Sequence, residues 1–303
     1  MILHPTQAYT DNLKVSCGPD AVDRRPVRAP TPGNVAGMDL VRPRTTGVAT
    51  PATAWLPRQH GAWAMLIAPM VVGAAIGPFS APAVLFVIAW VAAYIAYQDA
   101  QSWLRASTAQ RPAFVRPLLV YAALAAAPGL ALIIWRPGVV AWLAVLAAPV
   151  AASLVLVARG AVRSVANDVI AQAIACLSTV ILPGLAVAGS LRWPPPGAER
   201  GNLWAAAACL FAYFAGTTFY VKTMIRRRNK PGWYVASVAY HAVVCALAFL
   251  TPSVWLIVVA TVLLARAVAV PRWFRRATPK QIGLGEMALT AVIVVVTILG
   301  TRQ

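Results

Sequence analysis

The sequence predicts an all-α fold: a polytopic transmembrane helical bundle of about nine spans, with the N-terminus inside and the C-terminus outside. Of its 303 residues, 60% are hydrophobic and 11% are charged, whereas a soluble domain carries about 25% charged residues. The apolar residues form blocks near the roughly 17–25 residues that a helix needs to cross a bilayer. The basic residues stand mainly at the ends of these blocks, where they orient helices or bind lipid headgroups.

The charge and the cysteines exclude several other classes of protein. A formal net charge of +18 is typical of nucleic-acid binding, but here the basic residues punctuate apolar blocks, so we predict no nucleic-acid partner. The four cysteines, Cys17, Cys176, Cys209 and Cys245, form no closely spaced pair. They therefore indicate neither a disulfide framework nor a zinc site.

Residues 1–57 differ from the rest of the chain. They are rich in proline, carry charges of both signs and contain few large apolar residues. Such a segment cannot bury enough surface to offset its ordering entropy, so we predict a disordered, Pro-rich cytoplasmic tail. It lacks the apolar core of a signal peptide, and Met38 is an alternative candidate for the first residue.

Residues 58–303 are predicted to form the transmembrane helical domain. The apolar blocks are separated by turn signals such as Arg136-Pro137-Gly138 and Lys230-Pro231-Gly232. The predicted spans lie near residues 61–78, 80–98, 117–134, 138–157, 166–189, 202–222, 233–250, 252–270 and 284–300.

Loop charges test the number of spans independently. With the tail inside, 22 of the 26 lysines and arginines fall in inner segments and 4 in outer segments. The last inner segment is counted from Arg266 to Lys280. Because the loss of one span would reverse every later loop, this alternation supports nine spans in a cell (inner or plasma) membrane.

Polar residues near the spans gather on the predicted cytoplasmic side. Ionisable residues close to a membrane core are costly and suggest a functional site. Asp99 closes the second predicted span, Asp168 opens the fifth and Glu286 opens the ninth. The candidate polar cavity comprises Arg58, Gln59, His60, Asp99, Asn167, Asp168, Lys222, Arg226 and Glu286.

A purely structural role for these residues remains an alternative, because helix ends are solvated and an acid at a helix N-terminus is stabilised by the macrodipole. Arg159, Arg163 and Asn167 recur every four residues and would share a face if a helix continued through that loop. A stripe from Trp90 to Arg105 would line a groove for a lipid-like substrate or, more commonly, pack against other helices. His241 and Cys245 do not complete a metal site. We predict no metal and no cofactor, and no catalytic residue stands out.

Three strings resemble a known family. Residues 57–66 read PRQHGAWAML, residues 220–226 read YVKTMIR, and residues 279–283 read PKQIG with Glu286 following. They resemble the YwiC-like family of uncharacterised bacterial multi-pass membrane proteins, over about residues 55–300. The resemblance implies a membrane bundle and implies no reaction.

The predicted bundle also resembles, in architecture alone, the UbiA-type prenyltransferases. Those enzymes hold magnesium against a diphosphate with two aspartate-rich motifs. Here Asp99 stands alone after the second span, and the sixth span ends in Lys222 and Arg226 without an aspartate. A two-motif magnesium site cannot be assembled from these residues.

Three function classes therefore remain. The first is a cytoplasm-facing polar cavity that binds or moves a small or lipid-like anion. The second is a membrane-embedded transferase of lipid substrates, and the third is a non-catalytic accessory subunit. Membrane lipids are the predicted partners, together with a lipid-like or anionic small molecule in the first class. The sequence names no protein partner.

Overall fold

The computed structural model describes Trp55 and residues 60–228, 230–274 and 277–301, with the side chain of His60 left out. Over these residues the chain is helical and contains no strand, so the predicted all-α fold is confirmed. The helices are α1 (His60–Ile76), α2 (Ala81–Arg105), α3 (Pro112–Trp135), α4 (Val140–Ala158), α5 (Val165–Gly184), α6 (Gly201–Val221), α7 (Pro231–Ala248), α8 (Val254–Trp273) and α9 (Pro279–Thr301).

The described helices have the length and composition of membrane spans. Eight of them are long and apolar enough to cross a bilayer, while α1 is a shorter apolar helix of 17 residues. A short 3₁₀ turn, Pro137–Val139, leads into α4, and a π-helical turn, Lys222–Arg226, continues α6. The chain is therefore a multi-pass helical bundle in a lipid environment.

Helices α5 and α6 form the centre of the bundle. In the apolar stretches of α5 and α6, 50% and 56% of the residues are buried, whereas only 6% are buried in the apolar stretch of α3. The α5 residues Val180, Ile181 and Leu182, and Leu185 just after the helix, are almost completely enclosed. Helix α3 packs mainly on α2 and leaves most of its apolar surface for lipid, as expected when the solvent is hydrocarbon.

Helix α1 approaches α5 closely at two glycines. A Cβ atom at Gly73 would lie 2.8 Å from the backbone oxygen of Thr179, and one at Gly77 would lie 2.4 Å from the Cβ of Pro183. The Thr179 hydroxyl donates to the carbonyl of Pro69 at 3.1 Å. Small residues four apart allow helix backbones to meet in this way, and the contact fixes α1 on the central pair.

We call the inner end of the bundle the end where α2, α4, α6 and α8 terminate and where α3, α5, α7 and α9 begin. The charge pattern predicts that this end faces the cytoplasm. At the opposite, outer end, the segment between α5 and α6 folds back onto the bundle. Trp142 Nε1 donates to the carbonyl of Pro196 at 2.9 Å, and Gly138 N donates to Ala188 O at 3.1 Å.

Several helices are longer at the inner end than their apolar lengths indicate. Helix α2 continues to Arg105, so Asp99 lies inside it and does not close it. Helix α9 begins at Pro279, which places Glu286 two turns inside its span. Arg266, counted above with an inner loop, lies within α8. Without Arg266, the inner side still holds 21 lysines and arginines against 4 on the outer side, so the charge difference survives this correction.

The helical face proposed for Arg159, Arg163 and Asn167 does not form. Helix α4 ends at Ala158 and α5 begins at Val165. Gly160 between them has a φ of +76°, a left-handed conformation that glycine adopts without strain. The helix is therefore not continuous through residues 159–164, and the condition for a shared face is not met.

Candidate functional site

The inner end brings two of the predicted site residues together in an ion pair. Lys222 Nζ lies 2.7 Å from Asp168 Oδ2, and it also donates to the carbonyl of Arg163 at 3.0 Å. The lysine is 8% exposed. Asp168 stands in the first turn of α5, where the helix macrodipole stabilises its negative charge. The pair therefore joins the start of α5 to the end of α6.

The π-helical turn places Lys222 and the basic residues that follow it. Arg227 N donates to Lys222 O at 2.8 Å, which is the i→i+5 bond of such a turn. The Thr223 hydroxyl lies 2.9 Å from the carbonyl oxygen of Phe219 and 3.0 Å from that of Trp233, and its single hydrogen is shared between the two, so it ties the turn to α7. Turns of this kind are rare and recur at functional sites.

A cavity of about 330 Å³ lies between the start of α5, the π-helical turn and the start of α7. We call it the basic pocket; it is lined by Arg163, Ser164, Val165, Lys222, Arg226, Arg227 and Trp233. Among these residues, four are basic and none is acidic. The Trp233 ring lies 5.6 Å from the guanidinium of Arg227 and 6.0 Å from Lys222 Nζ, both within cation–π range.

A chain of buried hydrogen bonds holds the start of α5 in place. The Tyr97 hydroxyl on α2 bonds to that of Ser153 on α4, and Ser153 Oγ donates to Asn167 Oδ1 at 2.5 Å. Asn167 Nδ2 then donates to the carbonyl of Val162 at 3.1 Å. Ser164 caps the helix by accepting from Asn167 N. The predicted residue Asn167 therefore positions the pocket wall and does not line it.

We expect Ser153→Ala to lower the free energy of unfolding by about 1–3 kcal/mol, because buried Asn167 Oδ1 loses its donor. Ser178→Ala is a matched control. Both serines are 0% exposed, but Ser178 Oγ donates to Ala175 O within its own helix, at 2.7 Å. Thermal unfolding in detergent measures the difference. Equal losses for the two variants would contradict the bridging role of Ser153.

Glu286 belongs to a different cluster, formed by α6, α8 and α9. Arg266 Nη1 forms an ion pair with Glu286 Oε1. The Thr217 hydroxyl donates to Glu286 Oε2 at 3.0 Å, and the guanidinium of Arg266 lies 4.0 Å from the centre of the Tyr220 ring. The two charged side chains are only 12% and 13% exposed. We call this cluster the Arg266–Glu286 pair.

Three further predicted site residues, Asp99, Asn167 and Glu286, do not line the basic pocket. Asp99 is 4% exposed, and its Oδ2 accepts no hydrogen bond from the part of the chain that the structure describes. Arg58, Gln59 and the side chain of His60 lie outside the described residues, although His60 begins α1. Among the predicted site residues whose side chains the structure describes, Asp168, Lys222 and Arg226 therefore meet at one place.

Sequence reasoning missed four residues that the structure brings into these clusters. Arg227 is predicted only as a loop charge, Arg163 as a loop charge and as part of the helical face that does not form, and Trp233 is assigned no role. The position of Trp233 directly after Pro231-Gly232, among basic residues, was an available signal. Arg266 had a signal too, because it falls within the apolar block 252–270. Within residues 60–228, 230–274 and 277–301, no three His, Cys, Asp or Glu residues gather as metal ligands would.

Fold and site together define a multi-pass helical membrane protein with a basic pocket at one end of the bundle. The family model described as "YwiC-like protein" matches residues 56–183. The predicted resemblance to that family is thereby confirmed across α1 to α5. The later strings at 220–226 and 279–283 lie beyond the matched residues.

A protein of Haemophilus influenzae named only "Uncharacterized protein" is 34% identical to the chain over 126 residues. The similarity covers 41% of this chain and 51% of the relative, so the chain spans about half the length of the curated relative that it matches. No solved structure matches the chain.

Proposed function

We propose that this membrane protein binds an anionic group, from a small solute or a lipid headgroup, in the basic pocket and presents or moves it at the cytoplasmic side. The observation that supports this is the lining of the pocket. Four cationic side chains converge there, and the nearest acid, Asp168, is already paired with Lys222. Such a site has an excess of positive charge that an anion neutralises.

The available donors indicate the chemical class of the ligand. An ammonium group has three N–H donors, and Lys222 Nζ uses two of them, on Asp168 and on the carbonyl of Arg163. Arg226 and Arg227 add planar guanidinium groups, which suit the oxygen pairs of phosphate and carboxylate. The start of α5, beside Ser164 and Val165, contributes the positive end of a helix dipole. We therefore expect a phosphate or carboxylate ligand.

The basic pocket is tested by Arg226→Gln/Arg227→Gln, which removes two pocket charges and leaves the Lys222–Asp168 pair intact. We expect the affinity for an anionic group to fall by at least about tenfold, because each charge-assisted bond contributes roughly 1.5–3 kcal/mol. Arg228→Gln is the matched control. Arg228 donates to the carbonyls of Met224 and Ala277 and does not line the pocket.

The measurement has two arms. Mass spectrometry of the protein, purified from vesicles of phosphatidylglycerol and phosphatidylcholine, reports retained anionic lipid. Calorimetric titration with inorganic phosphate reports a free anion. Loss in one arm by the double variant, with the control unchanged, names the source of the ligand. If wild type and double variant behave alike in both arms, the basic pocket is not a ligand site.

A further inference from the structure

A second cavity, separate from the basic pocket, lies between α6, α8 and α9. Its volume is about 770 Å³, within the range of small-molecule sites. The Arg266–Glu286 pair forms one wall, and Tyr220, Val270, Ile282 and Leu289 supply apolar surface. Trp273 and Phe274, both mostly exposed, stand at the inner end. We call it the α8–α9 cavity.

The position of the charges makes this cavity unusual. Arg266 lies seven residues before the last residue of α8, and Glu286 lies seven residues after the first residue of α9. At 1.5 Å per residue, both are about 10 Å from the inner helix ends. Charges at such a depth are costly and are retained mainly where they serve a substrate or ion.

Within the described residues, the hydrogen-bonding groups of Glu286 all have partners, whereas those of Arg266 do not all have one. Both carboxylate oxygens of Glu286 accept hydrogen bonds, from Arg266 and Thr217. Arg266 Nε and Nη2 are buried and have no hydrogen-bond partner among the residues that the structure describes. A buried donor without an acceptor costs roughly 1–3 kcal/mol. Because Arg266 lines the adjacent cavity, an acceptor oxygen bound there and reached by these donors would remove that cost.

The charge balance favours an acidic acceptor. Glu286 neutralises Arg266, while Arg272 adds a further positive charge to the lining. No other acidic side chain is among the described lining residues. The apolar remainder of the wall, which includes Val270, Ile282 and Leu289, suits a hydrocarbon tail.

We propose that the α8–α9 cavity binds a membrane amphiphile with a single acidic head, such as a long-chain carboxylic acid. The head accepts from Arg266, and the tail lies along Val270, Ile282 and Leu289. This site does not depend on the basic pocket, and it stands if the function proposed above fails.

Two glycines on α9 allow a matched test of where the tail lies. Gly285 lines the cavity, Gly283 does not, and a Cβ atom at either position meets nothing within 4 Å. We expect Gly285→Phe to fill the cavity and to reduce labelling by a photoactivatable palmitic acid about tenfold, because the ring occupies the volume of the tail. Gly283→Phe in the same proteoliposomes should label as wild type does.

Recognition of the acidic head by Arg266 is tested with the double variant Arg266→Met/Glu286→Met. This variant removes both members of the ion pair, so neither is left as an unpaired charge. Its labelling by the acid should fall to the level seen with the matching photoactivatable alcohol, while labelling by the alcohol stays unchanged. In the wild type, the label should map to peptides of α8 and α9.

Three results would overturn the proposal. The first is equal labelling of Gly285→Phe and Gly283→Phe. The second is wild-type protein that takes up acid and alcohol equally. The third is removal of the label by millimolar inorganic phosphate, which would show that the cavity takes a soluble anion.

Discussion

Arg266→Met is expected to lower the free energy of unfolding by about 3–5 kcal/mol, because it leaves the Glu286 carboxylate buried without its cation. The ionised side chain then keeps a neutral hydroxyl donor, Thr217 on α6, in place of a cation. Since native domains are stable by roughly 5–15 kcal/mol, this single change removes a large part of the total. Unfolding of the purified protein by increasing SDS in mixed micelles measures the loss.

The double variant Arg266→Met/Glu286→Met is expected to recover most of that stability, because replacing a buried ion pair by apolar residues is often neutral or stabilising. Arg272→Met serves as an exposed comparison. Its guanidinium lies 5.1 Å from the Tyr234 ring near the end of α8, and an exposed contact of this kind contributes roughly 0.5–1 kcal/mol. A double variant as unstable as Arg266→Met would show that the unpaired carboxylate is not the cause.

Gly73→Ala is expected to lower the free energy of unfolding by about 1–3 kcal/mol, although alanine favours helix more than glycine does. The added methyl group would lie 2.8 Å from the Thr179 backbone oxygen. Because that atom belongs to the central helix α5, α1 must move away, which also strains the hydrogen bond from Thr179 to Pro69.

Gly129→Ala, in α3, provides the comparison of opposite sign. A Cβ atom there meets nothing within 4 Å, so only helix propensity acts, and a gain of up to about 1 kcal/mol is expected. Thermal melting in one detergent compares the two variants. If Gly73→Ala were also stabilising, the close approach of α1 and α5 would be disproved.

The helical architecture was predictable because a helix that crosses a bilayer needs a minimum apolar length, and because charged residues within the bilayer are energetically costly. Helix ends were less predictable, because the apolar length does not limit the helix itself. The α2 residues from Gln98 to Arg105 are mostly polar, yet their backbones continue the helix beyond the apolar block. Because α2 and α9 extend beyond their apolar blocks, Asp99 and Glu286 lie inside helices and not at helix ends as predicted.

The candidate site was predictable only as a side of the bundle. Placing Asp168 and Lys222 at the same end required no more than the alternation of spans. Their direct contact depends on which helices are neighbours, and 54 positions separate the two residues in the chain. The partner of Glu286 was missed for a related reason: Arg266 was treated as a loop charge, so its position on α8 opposite α9 was not considered.

The segment between α5 and α6 has a consequence for any route through the bundle. A Cβ atom at Gly184 would lie 2.1 Å from the carbonyl oxygen of Pro196, and Trp142 holds that same carbonyl. At Gly184 the outer side of this part of the bundle is therefore closed by backbone packed against backbone, whereas the basic pocket is at the inner end. A solute passing outward there would have to separate Gly184 from Pro196. A molecule that enters and leaves from the inner leaflet would leave this contact undisturbed.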